Sequence, residues 1–95
     1  MNRYEAMFIV KPDLSEEEKK NLFSQIQDVV AKNNGKVSEA RVFAEKRKLF
    51  FPIKRYHEGV YYSVDFNAAP LAVANIRQAY KLNENILRVL ITRIQ

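Results

Sequence analysis

Residues 45–53 read E-K-R-K-L-F-F-P-I, a segment in which three consecutive cations run into three apolar residues and then a proline. Lysine and arginine bind phosphate groups, and exposed aromatic rings stack on bases, so the pattern is typical of an RNA-binding surface. The same pattern suits an exposed edge strand on which lysines prevent aggregation. The segment alone leaves both interpretations open, and it predicts that the strand stops at Pro52.

Catalytic chemistry is poorly represented in the rest of the chain. His57 is the only histidine, cysteine is absent, and Gly35 and Gly59 are the only glycines. A zinc site needs a cluster of histidine, cysteine or carboxylate ligands, and a phosphate-binding loop needs several closely spaced glycines. The four serines stand in no nucleophile-elbow context. We therefore expect no enzyme activity, no metal, no cofactor and no small-molecule substrate.

Positive charge is concentrated in the second half of the chain. The 95 residues carry 16 lysines and arginines against 11 aspartates and glutamates, which gives a formal net charge of +5. Residues 1–45 contain 7 cations and 8 anions, whereas residues 46–95 contain 9 cations and 3 anions. A localised excess of this kind favours a nucleic-acid-binding face over a general role of the charge in solubility.

The length is that of one domain, which we expect to span residues 1–95. No apolar run approaches the roughly 20 residues needed to cross a bilayer, and the first residues lack the apolar core of a signal peptide. The absence of cysteine permits a reducing compartment. These features predict a cytoplasmic protein with no membrane partner.

Hydrophobic periodicity predicts six secondary-structure elements. Alternating polarity indicates strands, and apolar residues at helical spacing follow a capping box at Ser15 and Glu18 and a proline at Pro70. Gly35 is expected to end the first helix in a left-handed conformation. The predicted strands cover residues 3–10, 37–51, 60–66 and 86–94, and residues 52–59 are predicted to form a connection.

The resulting order βαββαβ is that of the ferredoxin-like, or split βαβ, fold. Right-handed crossovers place both helices on one face of a four-stranded antiparallel sheet and leave the other face open. Phe8, Ile26, Tyr62, Val64 and Phe66 are predicted to lie in the core. Strand alternation assigns eight residues to the open face: Arg3, Met7, Ile9, Tyr61, Ser63, Arg88, Leu90 and Thr92.

Two known activities of this fold fit the sequence poorly. Small acylphosphatases need a glycine-rich phosphate loop with an arginine after the first strand, and residues 11–14 read K-P-D-L there. The RNA-recognition motif stacks bases on open-face aromatics. Its glycine-containing basic-aromatic signature is absent from residues 60–66, V-Y-Y-S-V-D-F, where only Tyr61 is expected on the open face. Recognition of folded RNA by shape and phosphate therefore fits better than base-by-base readout.

Four segments together resemble the bacterial small-subunit ribosomal protein six family. They are R-Y-E at residues 3–5, K-R-K-L-F-F-P-I at residues 46–53, Gly59 followed by Tyr61-Tyr62, and N-I-L-R-V-L-I at residues 85–91. The resemblance covers essentially the whole chain, in order and at matching spacing. It implies a non-catalytic component of the 30S subunit platform that pairs with ribosomal protein eighteen. Together the two proteins would bind the central domain of 16S rRNA.

Matching onto this family gives Arg3, Lys81, Arg88 and Arg93 as the RNA-binding residues, although each could also be a solvated surface cation. We expect Arg88 to be the main contact, because it interrupts an apolar strand at an open-face position. Arginine also binds two phosphate oxygens through its planar guanidinium.

The second strand offers Phe43, Lys46, Lys48 and Phe50 as the surface for the protein partner, since an exposed edge strand can dock another chain. A different class of function also remains open. The chain could be a ferredoxin-like protein-interaction or small-ligand regulatory domain whose charge is incidental. The salt dependence of RNA binding separates the two hypotheses.

Overall fold

The computed structural model describes residues 1–94, which form four strands and two helices. In chain order these are β1 (Asn2–Val10), α1 (Glu16–Lys32), β2 (Lys36–Ile53), β3 (Tyr56–Ala68), α2 (Pro70–Lys81) and β4 (Ile86–Arg93). The strands form one antiparallel sheet in the order β2-β3-β1-β4, so β2 and β4 are its edges. The predicted ferredoxin-like fold is confirmed. Neither helix in the described part of the chain is long and apolar enough to cross a membrane.

The core lies between the two helices and one face of the sheet. In β1 every second residue from Tyr4 to Val10 is buried, and in β3 every second residue from Val60 to Ala68 is buried, together with Ser63 on the other face. The predicted core residues Phe8, Ile26, Tyr62, Val64 and Phe66 are all buried. Alternation brings all these strand side chains to one face, where the apolar stripes of α1 and α2 cover them.

Tyr80 joins the two helices inside this core. Its hydroxyl donates a hydrogen bond of 2.7 Å to the carbonyl oxygen of Ile26 in α1. Its ring meets the ring of Phe8 edge to face, with 4.8 Å between centroids. Burial raises the pKa of the Tyr80 hydroxyl, and the nearby Tyr62 adds to the shift. The end of α2 is therefore held by one buried hydrogen bond as well as by packing.

The capping box predicted for α1 is present. The Ser15 hydroxyl accepts from the Glu18 N–H at 3.1 Å, and the Ser15 N–H donates to Glu18 Oε1 at 2.9 Å. The hydrogen bond with the Ser15 backbone lowers the pKa of Glu18, and the hydrogen bond with the Ser15 side chain lowers it further by a smaller amount. The helix end differs from prediction, because Asn34 and not Gly35 has the positive φ, 62°. Gly35 is needed for space: a Cβ there would lie 2.8 Å from the Asn67 carbonyl oxygen.

The connection predicted over residues 52–59 is wrong, because β2 and β3 continue into it. Ile53 pairs with Tyr56, so the hairpin closes through Lys54 and Arg55 alone. Pro52 does not stop β2. Proline has no N–H to donate to a neighbouring strand. Because β2 is an edge strand, one side of it has no neighbouring strand, and a missing donor on that side breaks no hydrogen bond of the sheet.

The two turn residues adopt backbone conformations that suit other side chains. Lys54 has φ 49° and Arg55 has φ 74°. A two-residue hairpin with positive φ at both central positions matches a type I′ turn, for which Asn-Gly is strongly preferred. A left-handed conformation costs about 1–2 kcal/mol for most residues. Two long cationic side chains therefore occupy a turn where they weaken the fold.

The outer half of the hairpin leans over the open face of the sheet. The register of β2 against β3 shifts at several points between Val37 and Ile53. Leu49 is buried to 8% exposure outside the main core, and Gly59 lies beneath it. A Cβ at Gly59 would collide with the Ile9 side chain, so only glycine allows this close approach.

Candidate nucleic-acid interface

Strand register fixes which side chains share the open face. Arg3 lies opposite Asn67, and Met7 lies between Ser63 and Leu90. Ile9 lies between Tyr61 on β3 and Arg88 on β4. All eight residues assigned to this face by alternation are found on it: Arg3, Met7, Ile9, Tyr61, Ser63, Arg88, Leu90 and Thr92.

A bulge in β4 determines how Arg88 leaves the sheet. Ile86 pairs with Val10 and Arg88 pairs with Ile9, so Leu87 is an extra residue between them. Ile86 and Leu87 are both buried, whereas Arg88 is exposed. The guanidinium of Arg88 is therefore presented from a strand that is anchored on both sides of the bulge.

The first end of the open face, which we call the Arg3 end, contains two of the four predicted RNA ligands. Arg3 makes a 3.8 Å ion pair with Asp65 and borders a cavity of about 480 Å³ with Asn2, Ser38 and Asn67. The backbone of Arg93 lies close to that of Arg3, as predicted, because the neighbouring Ile94 N–H donates a hydrogen bond of 2.8 Å to the Arg3 carbonyl oxygen. Arg93 pairs with Tyr4, however, which places it on the helix side of the sheet.

The second end, the Arg88 end, contains the other two predicted ligands. Lys81, in the last turn of α2, and Arg88 line one cavity of about 270 Å³. Lys54, from the β2–β3 turn, lines the same cavity. Arg88 pairs with Ile9, and Ile9 lies six residue steps along β1 from Arg3, so Arg3 and Arg88 are about 20 Å apart. The four predicted ligands therefore form two groups, which cannot hold the same phosphate.

The cations at the two ends differ in their acidic partners. The four ion pairs found among residues 1–94 use Arg3, Lys19 and Arg41 as cations. Lys54, Lys81 and Arg88 take part in none of them, and all three side chains are exposed. Their charge is thus available to an external anion without loss of an internal ion pair.

An aromatic site with a cation above it lies between the two ends. The Arg47 guanidinium lies 5.4 Å from the ring centroid of Tyr61 and 5.6 Å from that of Phe43. The two rings are 6.1 Å apart. Tyr61 is on the open face as predicted, but it is half-buried beneath Arg47 and beside Phe43. Base stacking on Tyr61 would require Arg47 to move or to join the stack.

The predicted partner surface on β2 falls into two separate aromatic groups. Phe43, 47% exposed, belongs to the site with Arg47 and Tyr61. Phe50, 94% exposed, instead packs edge-on against Phe51, which is 73% exposed, with 5.1 Å between ring centroids. Lys46 and Lys48 are exposed between the two groups. The edge position of β2 is confirmed, and the Phe50–Phe51 pair is its most exposed apolar feature.

Sequence reasoning missed two residues of this surface. Lys54 falls within the connection that the sequence predicts over residues 52–59, and the sequence marks Arg47 only as part of the basic run. The signal for Lys54 was the spacing of Ile53 and Tyr56, which permits a two-residue hairpin, but Lys-Arg lacks the usual Asn-Gly signature. The place of Arg47 depends on irregular register between β2 and β3, for which the sequence shows no signal.

The fold is that of a ferredoxin-like domain with one open sheet face, which is bordered by cations without ion pairs among residues 1–94. Within residues 1–94, no group of three or more histidine, cysteine, aspartate or glutamate side chains could hold a metal ion. The cavities that border the open face are lined by cations, amides, hydroxyls and apolar groups.

Comparison with known proteins gives the family. The sequence profile of the family described as Ribosomal protein S6 matches residues 3–93. The chain is 33% identical over 93 residues to the small ribosomal subunit protein bS6 of Caldanaerobacter subterraneus, with 98% of this chain and 97% of that protein covered. It is also 37% identical to bS6 of Helicobacter acinonychis. That alignment covers 98% of this chain and 65% of the longer relative.

A solved structure agrees with these sequence matches. The crystal structure of 30S ribosomal protein S6 from Thermotoga maritima superposes with a TM-score of 0.89 at 27% identity. The superposition covers 97% of this chain and 86% of that one. This chain belongs to the ribosomal protein S6 family, which is not a family of enzymes. The resemblance inferred from the sequence is confirmed.

Proposed function

We propose that this protein is a structural component of the 30S ribosomal subunit in the cytoplasm, where it binds the central domain of 16S rRNA together with ribosomal protein eighteen. The observation that carries the proposal is the family match over residues 3–93, because it spans all six elements of the fold. Named members of the family are proteins of the small ribosomal subunit. The unpaired cations at the Arg88 end supply the chemistry that such a role needs.

The chain alone offers few phosphate ligands. Of the four residues predicted to contact RNA, Arg3 already has an acidic partner and Arg93 lies on the helix side of the sheet. Each phosphate contact adds roughly one unit to the salt slope of binding, and non-specific contacts alone give weak binding at physiological salt. We therefore expect weak binding by the isolated chain, and tighter binding once the protein partner contributes its own contacts.

The partner surface on β2 is suited to protein rather than RNA contact at its outer part. Phe50 and Phe51 together expose an apolar surface that loses its hydration when it is covered. Aromatic residues are also enriched among the residues that dominate protein–protein binding energy. Lys46 and Lys48 precede this pair on β2, where lysines on an exposed edge strand oppose aggregation.

Binding to a fragment of the 16S central domain tests the proposal. The fragment is titrated with this protein, with ribosomal protein eighteen and with both, at several salt concentrations. We expect the two proteins together to bind more tightly than the product of their separate affinities predicts, with affinity falling steeply as salt rises. Equal affinity with and without protein eighteen would contradict the joint binding. Affinity that does not change with salt would favour the alternative of a protein-interaction or regulatory domain.

A matched pair of surface variants tests the partner surface. Phe50 and Leu71 are 94% and 91% exposed, but Phe50 lies on edge strand β2 and Leu71 on α2. We expect Phe50→Ser to weaken the complex with protein eighteen, whereas Leu71→Ser leaves it unchanged. Both variants should keep the melting temperature, since both side chains are more than nine-tenths exposed. A complex weakened equally by the two changes would remove Phe50 from the interface.

A further inference from the structure

The β2–β3 turn contains an unexplained choice of residues. Lys54 and Arg55 have positive φ, 49° and 74°, in a turn where asparagine and glycine would be more stable. Residues held in such conformations mark positions where another requirement outweighs stability. The fold does not supply that requirement, because neither side chain forms an ion pair among residues 1–94. What these side chains share is positive charge at an exposed hairpin tip.

The cavity at the Arg88 end distinguishes the two turn residues. Lys54 lines it, together with Lys81 and Arg88, and Arg55 does not. These three cations come from three separate parts of the chain: a hairpin turn, the end of a helix and a bulged strand. Ile86, Leu87 and Val89 form the apolar part of the same cavity. The fold thus brings three unpaired positive charges around one opening of about 270 Å³.

The C-terminal end of α2 lies beside this cavity, and its partial charge affects how well Lys81 could bind an anion. Lys81 lies in the last turn of α2, and the carbonyl end of a helix carries partial negative charge that repels anions. Backbone N–H groups of Leu82 and Asn83 satisfy the Gln78 and Tyr80 carbonyl oxygens, which weakens that repulsion. A single lysine there would be a poor anion ligand. Three cations carry a formal charge that exceeds the partial negative charge of a helix end, which is roughly half an elementary charge.

We propose that Lys54 is a phosphate ligand of this interface, and that it forms one RNA-backbone site with Lys81 and Arg88. The inference rests on the proposed function, to which it adds a residue and a location. Arginine can pair two phosphate oxygens at once, while the two lysines act as point charges on either side. Its bidentate contact makes Arg88 the orienting member of the site. Lys54 reaches it only because the hairpin closes in two residues.

A comparison of Lys54→Asn with Arg55→Asn tests this proposal. Each change removes one positive charge, and each introduces a residue that tolerates positive φ. Both variants should therefore raise the melting temperature, by about 2–6 °C for a domain of this size. Binding is then measured to the 16S central-domain fragment, with ribosomal protein eighteen present, over a range of salt concentrations.

We expect Lys54→Asn to weaken RNA binding about tenfold, as the loss of one charge-assisted contact does. Its salt slope should fall by about one, while Arg55→Asn stays within about twofold of the unchanged protein. Lys54→Arg retains both the charge and the unfavourable backbone conformation, so it should bind like the unchanged protein. This variant keeps the test valid if the turn does not tolerate asparagine.

Three results would count against the site in different ways. Equal weakening by Lys54→Asn and Arg55→Asn would show a general effect of charge and would overturn the site. Full binding by Lys54→Asn, with weak binding by Arg88→Ala, would exclude Lys54 and leave the proposed function intact. If the unchanged protein does not bind the RNA with its partner, the proposed function fails and the site fails with it.

Discussion

The two ends of the open sheet face have similar sequence signals and different structures. At the Arg3 end, Arg3 is paired with Asp65, and Arg93 is exposed without an ion pair among residues 1–94 but lies on the helix side of the sheet, the face of the buried Tyr4. At the Arg88 end, both predicted ligands are exposed and unpaired among the described residues, and they line a common cavity. The four cations that the sequence predicts as RNA ligands therefore differ in their surroundings, and Arg88, the expected main contact, lies at the end without an acidic partner among the described residues.

The difference shows that net charge locates a binding face less well than unpaired charge does. The second half of the chain carries the excess of cations, but the local partners of each cation decide what it can bind. An arginine with an acidic neighbour must give up or share that ion pair to bind phosphate, and exposed ion pairs contribute about 0–1 kcal/mol. We therefore expect the Arg88 end to contribute more to RNA affinity than the Arg3 end.

Changes in the core should remove both ends together. Phe8 and Ile26 are fully or almost fully buried between the sheet and the helices that support each end. Phe8→Ala or Ile26→Ala should lower the free energy of unfolding by about 2–5 kcal/mol, because each leaves a cavity. Denaturant titration followed by circular dichroism measures this. A loss below about 0.5 kcal/mol at both positions would show that the assignment of the sheet faces is wrong.

Arg88→Ala should separate the two ends most clearly. We expect about tenfold weaker binding to the 16S central-domain fragment with protein eighteen present, because a charge-assisted contact is lost. The salt slope should fall by about one. Arg3→Ala should weaken binding less, since the positive charge of Arg3 is already engaged by its ion pair with Asp65. Filter binding at several salt concentrations measures both variants, and Lys20→Ala on the outer side of α1 is the control for charge.

Two further results would decide the role of Arg88. The melting temperature of Arg88→Ala should stay close to that of the unchanged protein, because the side chain is exposed. Arg88→Lys should restore only part of the binding, since lysine lacks the planar pair of donors. A variant that loses stability but still assembles onto the RNA would make Arg88 a structural residue. The RNA-binding role would then shift toward Lys81 and Arg93.

Tyr80 should stabilise the Arg88 end specifically, because it immediately precedes Lys81 and borders the same cavity. Tyr80→Phe removes its hydrogen bond to Ile26, which should cost about 1 kcal/mol. The pH dependence is a second measurement. Burial raises the pKa of Tyr80 in the folded protein, so this residue stabilises the fold below about pH 10, and that contribution is lost as pH rises further.

Thermal unfolding between pH 8 and pH 11 tests the role of Tyr80. The unchanged protein should lose stability above about pH 10, the ordinary pKa of tyrosine. Tyr80→Phe should lose less over the same range. Part of the decline should remain, because burial also raises the pKa of Tyr62. Identical pH profiles for the two proteins would show that the Tyr80 hydroxyl does not have a raised pKa.

The smallest expected effect concerns the Arg3 end and has the opposite sign. Asp65→Asn removes the acidic partner of Arg3, so it should strengthen RNA binding by about two- to threefold through the freed charge. Asp28→Asn makes the same chemical change on the exposed side of α1 and should have no effect. Equal gains from both variants would indicate a general effect of net charge. No gain from Asp65→Asn would place Arg3 outside the RNA interface.

Much of the fold could be predicted from the sequence because it depends on local patterns. Alternation identified the buried face of β1 and β3, including Phe8 and Tyr62. The capping box at Ser15 located the start of α1 to the residue. These signals are short-range, since each depends on a few neighbouring residues and on the geometry of a single strand or helix.

The hairpin could not be predicted in the same way. A proline and two long cations argue locally against a continuous strand and a tight turn. The tertiary structure overrides both signals: Pro52 is tolerated because β2 lies at an edge, and the pairing of Ile53 with Tyr56 closes the turn. The positions of Leu49 and Arg47 over the sheet also depend on shifts of register between two distant segments.

The sequence by itself determined the order of elements, the buried face of the sheet and the presence of Arg3 and Arg88 on the other face. Only the tertiary structure decided which cations are available. The pairing of Arg3 with Asp65 and the convergence of Lys54, Lys81 and Arg88 join residues that are far apart in the chain. The physical reason is that periodicity gives each side chain a face, whereas its electrostatic partners come from neighbouring elements, whose positions are set by strand register and helix packing.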